Sequence, residues 1–579
     1  MWRDMPLLLI LICGQFVLFV NMQNISVNGE EFHSKSYVAP EPIVCVDAGC
    51  VRGRVVNGVR NTYEAFYGIP YAEPPVGKLR FKNPIPRGAW TKSWDATYPR
   101  SACLQKNYFN YRQPIVGSED CLYLNVYRPS GKYLKKNLPV LIFIHGGGFL
   151  SFSSSPSELG PDYFMATNAV IVVTFNYRLG VFGFLCSGDE AIQGNFGLKD
   201  QQLALEWVAG NIGFFGGDEN SITLAGQNAG AASVNLHMLN RKSQSLFHRA
   251  ILMSGSALAS PLFPIDSPHQ FRMEAMASGI TDWDTAPIYK LAEKVKQLDG
   301  LKLLHAVDQL FTFPGIPPVP LRPCIEGDWK GAFLTEDPKK IWAEGAFEQK
   351  PMLLSLTRNE GIVEAILTTN KTRLEEYNRN IYKLLPIQMG FNPLYTDDVL
   401  QFYFGNKKYI DHNNVDRYYQ MVSDRFFRYQ FFVLISQYLK YADVQKNPIY
   451  FYEFAFESSY TFLKYITGKD INLGVGHFDD LIYLFTMPGF FPPFEINTPE
   501  SRMSGILVRT IVNFVAAGEI KKWRTIKPCT AITTELGCDR QVFKRYRELS
   551  PHQVVVSVTN RINGDMLKFW EGIDSSGTR

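Results

Sequence analysis

Charge of one sign is scarce in this chain. Its 579 residues carry 59 Lys and Arg against 55 Asp and Glu, a net charge of +4, with no dense basic block. A polyanion partner needs such a block, so nucleic acid is excluded as a ligand class. The short Lys521-Lys522-Trp523-Arg524 reads as solvated surface. Long apolar runs are nearly missing as well. One, Leu7 to Val20, follows Arg3, and its 14 residues fall short of the roughly 20 a bilayer-spanning helix requires. It fits the h-region of a signal peptide, assigned to residues 1–22. No second run follows and the chain ends in the polar Asp574-Ser-Ser-Gly-Thr-Arg579. No membrane span is expected after signal removal, and the protein reads as secreted and extracellular. Internal repeats, heptads and low-complexity segments are missing too, which excludes solenoids and coiled coils.

What is present is apolar bulk: 46% hydrophobic residues with 20% charged, enough for a large core. Cysteine usage fits an oxidising compartment. Removing Cys13 with the signal leaves eight of the nine cysteines. Cys45 with Cys50, Cys103 with Cys121 and Cys529 with Cys538 are short-range candidates for pairing. Cys186 and Cys324 sit in apolar surroundings, where a buried thiol and a disulfide are equally open. Asn24-Ile-Ser and Asn370-Lys-Thr are glycosylation sequons, in keeping with secretion.

Continuous apolar runs bounded by turn signals recur at Val140–Ile144, Val170–Thr174, Ile251–Met253, Pro351–Ser355 and Ile449–Tyr452. Strands of this kind suit a sheet covered on both faces. Between two of them, Asp200 to Ile212 sets Leu203, Trp207 and Val208 on one helical stripe. Strand and helix alternate, so the fold class is α/β with a large, mostly parallel central sheet covered by helices on both faces. The proline-rich Phe313-Pro-Gly-Ile-Pro-Pro-Val-Pro320 reads as a loop over that fold rather than a linker, and a single domain is expected.

One serine is missing where a serine would carry chemistry. Gly226-Gln227-Asn228-Ala229-Gly230 lies between a strand-like Ser221–Ala225 and a helix-like Ala231–Leu239. That is the context of a G-x-S-x-G nucleophile elbow. A serine there becomes a nucleophile when a histidine takes its proton; the Asn228 carboxamide cannot. The expected companions are nonetheless present. His145-Gly-Gly-Gly-Phe149 follows a strand and can turn backbone N–H groups toward a reacting carbonyl oxygen. Glu360, in Thr357-Arg-Asn-Glu-Gly361, follows another strand and is the candidate acid. His477, in the glycine-flanked Gly474–Asp480, is the candidate base, and the order elbow, acid, histidine is right. His237 lies nearer the elbow but inside a predicted helix, and reads as packing.

These segments, with Phe66–Phe81, Ser118–Asn125, Gly194–Gln201, Phe215–Asp218 and Arg249–Ser256, make the chain resemble the type-B carboxylesterase and cholinesterase family from about residue 42 to 570. The resemblance implies an α/β-hydrolase fold over 42–570. It also implies an oxyanion hole from the N–H groups of Gly147, Gly148 and Ala229, acid and base roles for Glu360 and His477, and a Cys103–Cys121 disulfide. No metal or cofactor is implied. Dimerisation through Arg502–Ala517 would follow the family. The departures are Asn228 for serine, the neutral Gln227 for a usual glutamate, and a Cys103–Cys121 loop whose only aromatics are Tyr108, Phe109 and Tyr111. That loop lacks the choline-stacking tryptophan of cholinesterases. The chain is thus similar to the family's catalytically deficient, neuroligin- and glutactin-like members. The expected function is non-catalytic binding, adhesion or carriage, with an extracellular protein or a small apolar ligand as partner. The alternative is an active carboxylic ester hydrolase that uses another hydroxyl, from the Ser153–Ser155 run, or Asn228 deamidated to aspartate.

Overall fold

The computed structural model describes residues 41–259, 266–521, 523, 525–526, 547–549, 554–555 and 564–576. The signal-peptide assignment, the Asn24 sequon and the Cys529/Cys538 pair lie outside them. Among the described residues no helix is long and apolar enough to cross a membrane. Within the unit that begins at Glu41 no further division separates the described residues.

Eleven described strands form the main sheet. In chain order they are β1 (Arg54–Asn57), β2 (Thr62–Pro70), β3 (Tyr123–Pro129), β4 (Leu138–Ile144), β5 (Ile171–Phe175) and β6 (Gly217–Gln227). β7 (Arg249–Met253), β8 (Met352–Thr357), β9 (Ile449–Phe454), β10 (Arg547–Leu549) and β11 (Val554–Val555) complete it. Their spatial order is 11-10-9-8-7-6-4-5-3-2-1. The pairs from β5 to β10 are all parallel, and antiparallel strands close both edges.

Side chains alternate across the central strands into two separate cores. Val140, Ile142, Ile144 and Leu224 point to one, together with Leu205 and Val208 of helix α1 (Phe196–Asn211). Leu141, Phe143, Ala225 and Ile251 point to the other, with Leu507, Ile511 and Val515 of the late helix Pro499–Ala517. Burial on both faces is why these strands read as unbroken apolar runs. Each buried Val, Leu, Ile or Phe among them contributes about 1.5–3 kcal/mol of transfer free energy.

One expectation shifts. Helix α1 begins at Phe196, and its buried line is Gln201, Ala204, Leu205 and Val208, with Leu203 and Trp207 half-buried beside it. Docking on the sheet, rather than hydrophobicity alone, chose the face. The expected Cys45–Cys50 and Cys103–Cys121 disulfides are both formed, while Cys186 and Cys324 are buried thiols. Asn370 is exposed at a helix N-terminus, where its Oδ1 accepts from Arg373 N.

Parallel strands deliver their C-terminal ends to one edge, where ligands bind in open α/β sheets. Gly226 stands opposite Ile144, Gln227 opposite Met253, and Met253 opposite Ser355. The loops leaving β4, β6, β7 and β8 therefore meet.

Candidate active site

Asn228 sits between the end of β6 and helix α2 (Ala229–His237), with φ 56° and ψ −120°. For a residue with a Cβ this backbone is strained, at a cost of about 1–3 kcal/mol. Hydrogen bonds hold it there: Asn228 N donates to Met253 O at 2.9 Å, and Ala232 N donates to Asn228 O at 3.0 Å. The flanking glycines are required by space. A Cβ on Gly230 would lie 2.1 Å from Ile144 O, and one on Gly226 would lie 2.3 Å from the Gly230 carbonyl carbon. These neighbours are backbone atoms and cannot step aside. Gly230→Ala is therefore expected to lower stability by about 3 kcal/mol, read as an earlier midpoint in chemical denaturation.

The sharp turn lifts the Asn228 side chain over the sheet edge, between two groups. Gly148 N donates to its Oδ1 at 2.9 Å, and its Nδ2 donates to His477 Nε2 at 2.7 Å. Gln227 Nε2 lies 3.2 Å from the same ring nitrogen. Two amide donors on one nitrogen require its lone pair, so the imidazole proton is on Nδ1. That proton is donated to Glu360 Oε2 at 2.6 Å. Glu360 Oε1 in turn accepts from Ser254 Oγ at 2.5 Å and Thr357 N at 2.7 Å. Glu360 and His477 are 0% and 2% exposed, so this chain of hydrogen bonds is shielded from water.

The three expected oxyanion donors are placed differently. Gly148 (φ 61°) presents its N–H to Asn228, and Ala229 lines the cavity beside it. Gly147 (φ 95°) makes the turn, its carbonyl accepting from Leu150 N and Ser151 N. His145 stacks on Tyr177 with ring centroids 4.4 Å apart, and burial pushes its pKa down to about 4. It is a neutral support for the loop.

The other hydroxyl candidates face elsewhere. Ser153 Oγ donates to Glu158, Ser154 Oγ to Asn176, and Ser155 Oγ is 2.8 Å from Ser157 Oγ. His237 is packed as expected, its ring bonded to Gln201 and Ser243.

A cavity of ≈120 Å³ opens over Asn228, walled by Phe109, Phe427, Val319 and Val363 with Ser254 and Glu364 among its polar groups. Ser254 and Glu364 were not singled out from the sequence. Ser254 could have been suspected from its place directly after β7; nothing local marks Glu364. Phe109 brings the Cys103–Cys121 loop onto the cavity. Burial pushes the Glu364 carboxyl up to about 7, against the lowering effect of hydrogen bonds from Tyr418 and Gln388.

The chain is similar to known proteins along most of its length. Residues 40–553 match the carboxylesterase family. Juvenile hormone esterase of Tribolium castaneum is 37% identical over 507 residues, 83% of this chain and 84% of that protein. Esterase E4 of Myzus persicae is 32% identical, covering 80% of this chain and 85% of that protein. The crystal structure of juvenile hormone esterase from Manduca sexta, with OTFP covalently attached, superposes with a TM-score of 0.78 at 28% identity. It covers 93% of this chain and 100% of that one. With its α/β-hydrolase fold and this arrangement of elbow, histidine and glutamate, the chain belongs to the carboxylesterase family.

Proposed function

We propose that this chain is a secreted, non-catalytic member of the family that binds a small apolar ligand, or one end of a longer one, in the cavity over Asn228. One observation carries the reading: a single carboxamide spans from the Gly148 N–H to His477 Nε2. It uses both the donor that would meet an oxyanion and the lone pair that would take a nucleophile's proton. A carboxamide nitrogen, its lone pair delocalised into the carbonyl, does not attack an ester. The cavity is smaller than the 300 Å³ or so typical of sites that enclose a drug-sized ligand, so it suits an acyl-sized group. The relatives' names include juvenile hormone esterase, and the walls here are largely apolar, so esters with apolar groups are the first ligands to test. The disulfides Cys45–Cys50 and Cys103–Cys121 support an oxidising, extracellular setting.

The experiment is turnover of short-chain aryl esters by the parent chain, with peptide mass spectrometry over residue 228. Turnover at ordinary esterase rates with Asn228 intact would end the non-catalytic reading. An active hydrolase is the second reading, supported by the esterase names of the relatives and by the 2.6 Å Glu360–His477 contact. It requires Asn228 to become aspartate, since the serines of 153–155 are engaged away from His477.

Glu364 sets the expected pH dependence. A neutral apolar ligand covering this carboxyl strips its remaining water and favours the uncharged form. Affinity is then full below about pH 7 and falls as Glu364 ionises above it. A further shift of about one unit on covering corresponds to a tenfold loss. Titrating a fluorescent fatty ester at several pH values checks this, and Glu364→Gln is expected to flatten the profile.

A further inference from the structure

Cys186 and Cys324 are far apart in sequence and come together beside Gly194. Both are buried, at 5% and 0% exposure. Their sulfurs reach the same acceptor, Gln193 O, at 3.4 and 4.0 Å. A Cβ placed on Gly194 would lie 2.6 Å from Cys324 Sγ and 2.9 Å from Cys186 Sγ. Glycine at 194 thus leaves room for two adjacent sulfurs that any side chain would push aside. The backbone around them is held in register. Asn195 Nδ2 donates to Cys324 O at 2.8 Å, Cys324 N donates to Asn195 Oδ1 at 2.9 Å, and Lys199 pairs with buried Glu326 at 2.6 Å.

We propose that Cys186 and Cys324 are an oxidation site, closing as the chain folds into a disulfide that ties the segment carrying Pro318 and Val319 to the body of the domain. Pro318 and Val319, which line the cavity, lie on the segment leading into Cys324, so the bond would fix that wall. The oxidant is a protein or small-molecule disulfide. The Cys186 thiolate attacks one of its sulfurs, its S–S bond breaks, and one thiol leaves. The Cys324 thiolate then displaces the second thiol from the mixed disulfide, forming Sγ–Sγ. Two thiol protons and two electrons have gone to the oxidant, which ends as two thiols. Cys186 is the more accessible of the two, 5% exposed against 0%, so it meets the oxidant first.

The test uses the full chain, secreted or refolded with oxidised and reduced glutathione. It is denatured without reductant, alkylated, digested and mapped by mass spectrometry. The expected result is a cross-linked pair of peptides holding Cys186 and Cys324, which separates when dithiothreitol is added. Recovery of both cysteines alkylated without reduction would overturn the proposal, as would linkage of either to a different cysteine. The Cys186→Ser/Cys324→Ser double variant is expected to melt about 3 °C lower. The peptide map of the parent chain decides the matter whether or not that variant folds.

Discussion

Asn228→Ser is expected to raise aryl-ester turnover by about 10³-fold or more over the parent chain. Loss of the nucleophile from a serine hydrolase costs roughly 10⁶ in kcat, while donors and binding alone leave about 10³–10⁴ over water. The gain is large because one substitution changes two things. Serine ends one atom beyond Cβ, so it vacates the place where Asn228 Oδ1 meets Gly148 N and leaves that N–H for a substrate carbonyl. Its hydroxyl also replaces an amide donor with one whose oxygen can attack once His477 accepts the proton. The strained backbone at φ 56° already aims the side chain. Asn228→Ala separates the two effects: it frees the donor without supplying a nucleophile and is expected to stay at background. Equal rates for the parent and the serine variant, with residue 228 verified as asparagine, would refute the account.

In the Asn228→Ser background, His477→Ala is expected to return the rate to that of the parent, because the nucleophile and base fail together when either is removed. Glu360→Gln in the same background is expected to lose most of that gain, about 10²–10³-fold. An amide beside Nδ1 permits the wrong tautomer, as in the corresponding serine protease change. Glu360 accepts three hydrogen bonds, from His477, Ser254 and Thr357 N, so it orients the ring rather than receiving its proton. Single-turnover rates of the serine variant and the two double variants would check this. A double variant carrying His477→Ala that kept the serine variant's rate would show that another group acts as base. In the parent chain, the same substitutions are expected to leave ester turnover at background.

Much of this was legible in the sequence. The unbroken apolar runs at Val140–Ile144 and Ile251–Met253 announced a sheet covered on both faces, because a two-sided burial leaves no polar alternation. The glycines of 226–230 marked the elbow, since backbone atoms approach there too closely for any side chain. Glu360 and His477 were candidates from strand-end and glycine-loop positions in the right order, and the family resemblance implied their roles.

Tertiary structure decided the rest. Trp207 is as hydrophobic as its neighbours in α1, yet the packing of that helix buried Ala204 and Leu205 more deeply. The chain order of acid and base says nothing of Ser254, brought to Glu360 by the pairing of β7 with β8. Glu364, ending the helical turn Glu360–Glu364, and Phe427, in the helical turn Asp424–Arg428, became cavity walls only through tertiary packing. Cys186 and Cys324, equally open between thiol and disulfide as a sequence, were set beside one glycine by the fold. The residue at 228 determined by itself which atoms could react. Whether its carboxamide spans the Gly148 donor and the His477 lone pair depended on distances between segments far apart in the chain. Composition and spacing do not encode such distances; packing of the sheet edge does.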